Sequence, residues 1–195
     1  MTSKVKTYKM ILVCLIIAAI VVATLIAIKY LKLYKTETEA KQVIANITEI
    51  LENNDNPISE IDQQIQGHKV VGIIRIPKIE LEYPILENTS KETLNLSITK
   101  FWGNQINEIG NVTLAGHNNL NGTMFGKTKK LEKGDIVELT DLKGQKIQYS
   151  IYDIFVTDPN DVSILLPKDE VIREVTLITC TNGNKERLIL KAKEI

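Results

Sequence analysis

Residues 174–193 read Glu174-Val175-Thr176-Leu177-Ile178-Thr179-Cys180-Thr181-Asn182-Gly183-Asn184-Lys185-Glu186-Arg187-Leu188-Ile189-Leu190-Lys191-Ala192-Lys193. This is the signature of two strands joined by a turn. Both arms carry the β-branched and apolar residues that suit a pleated, half-buried surface. Asn182-Gly183 offers the left-handed conformations that a two-residue hairpin turn requires. Centring the turn on that pair sets Thr181 against Asn184, Cys180 against Lys185 and Ile178 against Arg187. Side chains alternate between faces along a strand, so Cys180, Ile178 and Arg187 share one face. Arg187 is therefore expected diagonally across from Cys180, roughly 7–8 Å away between backbones and within reach of a long side chain.

Upstream of this hairpin, residues 70–76, 79–83, 111–115, 135–139 and 146–156 also read as strands. Pro77 and Pro84 break the pattern early, and Gly110, Gly134, Gly144, Pro159 and Gly183 punctuate it later. A helix over residues 91–99 and a short turn at 162–165 are the expected helical interruptions. Many short strands at close spacing predict an all-β barrel or sandwich.

The N-terminal third follows another pattern. Residues 10–28 are 19 consecutive residues without a charge. As a helix this run spans roughly 28 Å, close to the hydrocarbon thickness of a bilayer. It exceeds the apolar core of a secretory signal, and no small-x-small cleavage site follows it. The expectation is an uncleaved transmembrane anchor. Lys4, Lys6 and Lys9 precede it and Lys29, Lys32 and Lys35 follow, so the lysine count assigns no orientation. Next, Ala40, Val43, Ile44, Ile47, Ile50 and Leu51 recur at helical spacing in an otherwise polar segment. A break at residues 53–57 and the spacing of Ile58, Ile61 and Ile65 suggest a second short helix. The expected division is a tip and anchor at 1–35, a helical stalk or spacer at 36–68, and a β-domain at 69–195.

Lys and Arg number 24, as do Asp and Glu, for a formal net charge of zero. That balance lacks the basic excess of a nucleic-acid binder. Cys14 lies in the apolar run, which leaves Cys180 as the single thiol of the β-domain. A cysteine nucleophile acts as a thiolate, and an ordinary thiol with pKa ~8.5 needs a base or cation beside it. His117 ends the apolar strand Val112-Thr113-Leu114-Ala115-Gly116 and is the one histidine in the predicted barrel. His68, beside Lys69 in the polar linker, reads as a surface residue. Asp158, Asp161, Asp169 and Glu170 match no calcium-loop spacing, so neither a metal nor a cofactor is expected.

An apolar strand ending in Gly116-His117, then Thr176-Leu177-Ile178-Thr179-Cys180, then Arg187 opening the next strand, together resemble the sortase family over residues 70–193. The resemblance implies a closed, mostly antiparallel β-barrel with short helices, set behind the anchor on the outer face of a Gram-positive membrane. It implies a cysteine transpeptidase with His117, Cys180 and Arg187 as its catalytic set and Thr179 lining the substrate site. Cys180 would cleave a Leu-Pro-x-Thr-Gly-like signal after Thr through a thioacyl enzyme. His117 would move protons on and off the amines, and Arg187 would hold substrate and oxyanion. The implied partners are surface proteins carrying such a C-terminal signal, and an amine of cell-wall precursor or of a pilin-like protein.

Three other readings compete, one of them a peptidoglycan transpeptidase with an active cysteine, whose Ser/Thr-x-Gly-Cys surroundings are absent here. A hydrolytic cysteine peptidase shares the thiolate and histidine, although papain-like enzymes place their cysteine at a helix start near the mature N-terminus. A membrane-anchored β-domain that only binds a partner would show no site-selective thiol chemistry.

Overall fold

Leu114, Leu177 and Leu190 lie side by side at the centre of the core because three neighbouring strands pair in that register. All three are essentially fully buried. Burial of each such side chain contributes about 1.5–3 kcal/mol. The computed structural model describes residues 2–53, 63–166 and 171–195. Its helices are α1 (Thr2–Asn53) and α2 (Lys91–Leu94). Its strands are β1 (Gln64–Ile65), β2 (His68–Ile76), β3 (Leu81–Leu86), β4 (Ile98–Gly103), β5 (Gly110–Ala115), β6 (Ile136–Asp141), β7 (Lys146–Thr157), β8 (Arg173–Thr181) and β9 (Glu186–Glu194).

Strands β2 to β9 form a closed ring in the order β2-β3-β4-β5-β8-β9-β7-β6, with β6 pairing back onto β2. Only β3/β4 and β5/β8 are parallel, so the expected closed, mostly antiparallel barrel is what forms. Closure leaves no free sheet edge in the ring. Val112 and Leu114, Val175 and Leu177, and Leu188 and Leu190 point inward. By alternation, Ile178, Cys180 and Arg187 belong to the outer face of the same strands.

Several elements differ from their sequence expectation. The helix at 91–99 stops after one turn. Ser90 and Thr93 close a capping box around it, and Ile98 and Thr99 then pair with β3. Residues 98–103 are β4, where β-branched and aromatic side chains favour the pleat over a helix. Pro77–Ile79 is a 3-10 turn, so the strand expected from 79 begins at Leu81. The short turn expected at 162–165 is the 3-10 turn Ser163–Leu165, and another such turn, Phe125–Lys130, had no clear signal. Most of the second predicted helix lies outside the described residues; Ile65, its last apolar position, lies in β1 and pairs with His68 of β2.

Helix α1 divides after Glu39 between two compact units. In the first, side chains such as Met10, Leu15, Leu25 and Ile28 are exposed to their surroundings. This helix is long and apolar enough to cross a membrane and fits a single-pass anchor. In the second unit, Ala40 and Ile47 of the predicted stripe are buried and Val43, Ile44, Ile50 and Leu51 are half-buried. Ile47 packs with Ile65, Val70, Ile73, Leu86 and Leu96, and Val43, Ile44 and Leu51 join them. Residues 40–53 thus form an outer layer on β2 and β3.

Candidate active site

The β8–β9 connection decides where the candidate residues meet. Asn182, Gly183 and Asn184 have φ of 47°, 65° and 71°. Three successive left-handed residues suit Asn-Gly-Asn, since Gly has no Cβ and Asn tolerates this region. They make a four-residue link in which Thr181 pairs with Glu186 and Cys180 pairs with Arg187. This corrects the expected register, in which Arg187 stood opposite Ile178. The link has two residues more than the simple turn, an even number, so Arg187 stays on the face of Cys180. It moves from diagonal to directly opposite.

β5 lies parallel beside β8, with Ala115 level with Ile178. The chain past Ala115 is held to β8 by three hydrogen bonds. Gly116 N–H donates to the Ile178 carbonyl at 3.2 Å, and Thr179 Oγ1 donates to the Gly116 carbonyl at 2.7 Å. Asn118 Nδ2 donates to the Cys180 carbonyl at 2.8 Å. His117 is thereby fixed between two residues that are each tied to the Thr179-Cys180 segment. Gly116 is required for packing: a Cβ there would lie 2.8 Å from the Phe125 ring. That ring is fully buried, and Phe125 N–H donates to the His117 carbonyl at 3.0 Å.

His117, Cys180 and Arg187 line one groove of about 310 Å³ on the barrel's outer face. All three are partly buried. Leu94 and Phe101 also line it, as do Val162, Ile164 and Leu165 of the β7–β8 connection. Arg187 Nη1 donates to the Asn184 and Glu186 carbonyls at 3.2 Å each. A guanidinium has five N–H donors, so others remain for the groove. Among the described residues no carboxylate pairs with Arg187. Thr179 borders the groove but is 2% exposed, and its hydroxyl is engaged by Gly116. Its effect is to tie β8 to the Gly116-His117 corner. His68 lies elsewhere, with Nε2 3.7 Å from Glu92.

One groove-lining acid is pinned. Asp161 accepts from Ser163 Oγ and Thr157 Oγ1 at 2.6 Å each, and from Ser163 N–H at 3.0 Å. The Ser163 hydroxyl, the Thr157 hydroxyl and the Ser163 amide together hold its carboxyl below the usual range. Asn118 and Phe101 escaped the sequence reading. An Asn after His carries no pattern of its own, and Phe101 lay beyond a segment read as helix.

The sortase domain family model matches residues 74–195. The chain is 28% identical over 169 residues to sortase A of Bacillus anthracis, covering 80% of this chain and 79% of that protein. It is 34% identical over 110 residues to sortase D of Bacillus subtilis, covering 56% of this chain and 53% of that one. Among solved structures, a Clostridium perfringens sortase D5 transpeptidase superposes with a TM-score of 0.64 at 29% identity, over 82% of this chain and 97% of that one. Sequence match, barrel topology and the groove at the β5, β8 and β9 ends agree, and the chain belongs to the sortase family.

Proposed function

We propose that this chain is a membrane-anchored cysteine transpeptidase that cleaves a Leu-Pro-x-Thr-Gly-like sorting signal after Thr and joins the upstream protein to an amine. The observation that carries the reading is the placement of Cys180 opposite Arg187, with His117 held beside them in one groove. The Cys180 thiolate attacks the Thr carbonyl carbon, and the oxyanion forms against the free donors of Arg187. Fixed donors of this kind stabilise charge as it develops. The C–N bond then breaks, with His117 giving its proton to the departing Gly amine. The thioacyl enzyme is next attacked by an acceptor amine whose proton passes to His117. The C–S bond breaks and the thiolate returns.

The acceptor is an amine of cell-wall precursor or of a pilin-like protein. Residues 1–35 form the cytoplasmic tip and anchor, 36–68 the stalk, and 69–195 the catalytic barrel on the extracellular face. The test incubates the barrel with a panel of sorting-signal peptides and candidate amines and identifies products by mass spectrometry. Ligated product that depends on Cys180 is expected. Hydrolysis alone in every amine would point to a peptidase, and no turnover of any peptide would overturn the reading.

A further inference from the structure

Beneath the β7–β8 connection, the outer face of β5, β8 and β9 is polar and buried. Glu174 is 1% exposed and Lys191 is 9% exposed. Lys191 Nζ lies 3.1 Å from Glu174 Oε1 and donates to the Leu166 carbonyl at 3.0 Å. Asn111 Nδ2 donates to the Leu165 carbonyl at 3.0 Å and, more weakly, to that of Ile164 at 3.4 Å. Thr176 Oγ1 donates to Asn111 Oδ1 at 3.0 Å and so orients the amide. Tyr152 hydrogen-bonds Glu174 from β7; burial first, then the Glu174 charge, push its phenol well above the ordinary value. Three successive carbonyls of the connection are therefore gripped from below, and they belong to or adjoin Ile164 and Leu165, which wall the groove.

A buried Lys–Glu pair is seldom a good source of stability, because desolvation offsets the attraction and a well-packed apolar pair often does as well. An apolar pair, however, cannot donate to a backbone carbonyl. We propose that Lys191, charge-paired with Glu174 and seconded by Asn111, is a positioning residue that holds residues 162–166 as a wall of the groove and thereby sets affinity for an extended peptide. This rests on the groove being the peptide site. Lys191 lies four residues beyond Arg187 on the same face, so one strand carries both a groove-lining residue and one that fixes a wall of the groove.

The test is the double variant Lys191→Met/Glu174→Gln, which removes both charges without leaving either one buried alone. With the best peptide of the panel, KM should rise about tenfold, the loss of roughly 1.4 kcal/mol of binding, while kcat stays within about twofold. Amide hydrogen exchange at residues 162–166 should quicken about tenfold through easier local opening. Alkylation of Cys180 by iodoacetamide, which needs no wall, should keep its rate. Lys191→Arg, which retains charge and donors, should keep KM within about threefold. Unchanged KM with unchanged exchange in the double variant overturns the proposal, as does a fall in kcat at constant KM. Should the double variant not fold, Asn111→Ala removes the grip on Leu165 and is held to the same outcomes. Should the wild type turn over no peptide, the peptide-site reading fails by itself, and unchanged loop exchange would still overturn the clamp.

Discussion

His117 and His68 are the chain's two histidines, and their surroundings assign them different fates. His117 is locked into the groove by its neighbours' bonds to β8, whereas His68 faces a surface carboxylate. His117→Ala is expected to lower kcat/KM by about 10²-fold or more, the range for a lost acid–base group, and His68→Ala to be nearly silent. Equal losses in a steady-state assay would remove His117 from the mechanism. Arg187 poses a question of shape. Its Nη1 is engaged by two backbone carbonyls, which aims the planar fork as a compact ammonium could not be aimed. Arg187→Lys is expected to lose at least about 10²-fold in kcat/KM, close to the loss for Ala. Retention of most activity by Lys would reduce Arg187 to a source of positive potential. Cys180, His117 and Arg187 were legible as candidates because each belongs to a patterned segment. Asn118 and Lys191 were not legible: an outward Lys in an alternating strand reads as solvated until something is seen to cover it.

The β8–β9 hairpin shows what pattern can and cannot supply at the scale of an element. Apolar alternation placed both strands within a residue of their ends and put Cys180 and Arg187 on one face. The exact opposition depended on a turn whose length two-residue rules underestimated. Asn184, with its own positive φ, extends the left-handed run, and single-residue preferences do not add up to such a loop. β4 was lost for a related reason: Ser90 and Thr93 signal a helix start, and nothing in residues 91–97 marks that it lasts one turn. Inserting one residue after Gly183 changes the link by an odd number and turns Arg187 to the opposite face. Loss of activity in a folded insertion variant is expected, with the register read from cross-strand contacts by NMR. An active variant with the shifted, unbulged register would refute the placement of Arg187.

For the whole molecule, the ring closes where β6 meets β2, and a buried carboxylate sits at that seam. Glu138 pairs with Lys146 on β7 at 2.9 Å and accepts from Gln148 at 2.7 Å, with Arg75 of β2 at 3.5 Å. Burial pushes its carboxyl up. The hydrogen bonds from Lys146 and Gln148 and the charges of Lys146 and Arg75 outweigh burial and leave it below the ordinary value of 4.5. A carboxyl lowered on folding stabilises above its unfolded pKa and ceases to as pH falls through the folded one. The barrel's Tm is therefore expected to drop as pH falls below about 4.5, where the unfolded chain begins to take up the proton. Glu138→Gln should lower Tm at pH 7 and flatten that acid slope. An unchanged slope would show that the seam does not depend on this charge. The proposed function reduces to one chemical event, acylation of Cys180. Incubating the intact barrel with a sorting-signal peptide, quenching in acid and mapping the adduct by tandem mass spectrometry tests that event directly. The expected product is the peptide's acyl fragment, cut after Thr, in thioester linkage on Cys180, with none on a Cys180→Ala variant that remains folded. An adduct on another residue, or undiminished transfer by Cys180→Ala, would contradict the proposed function.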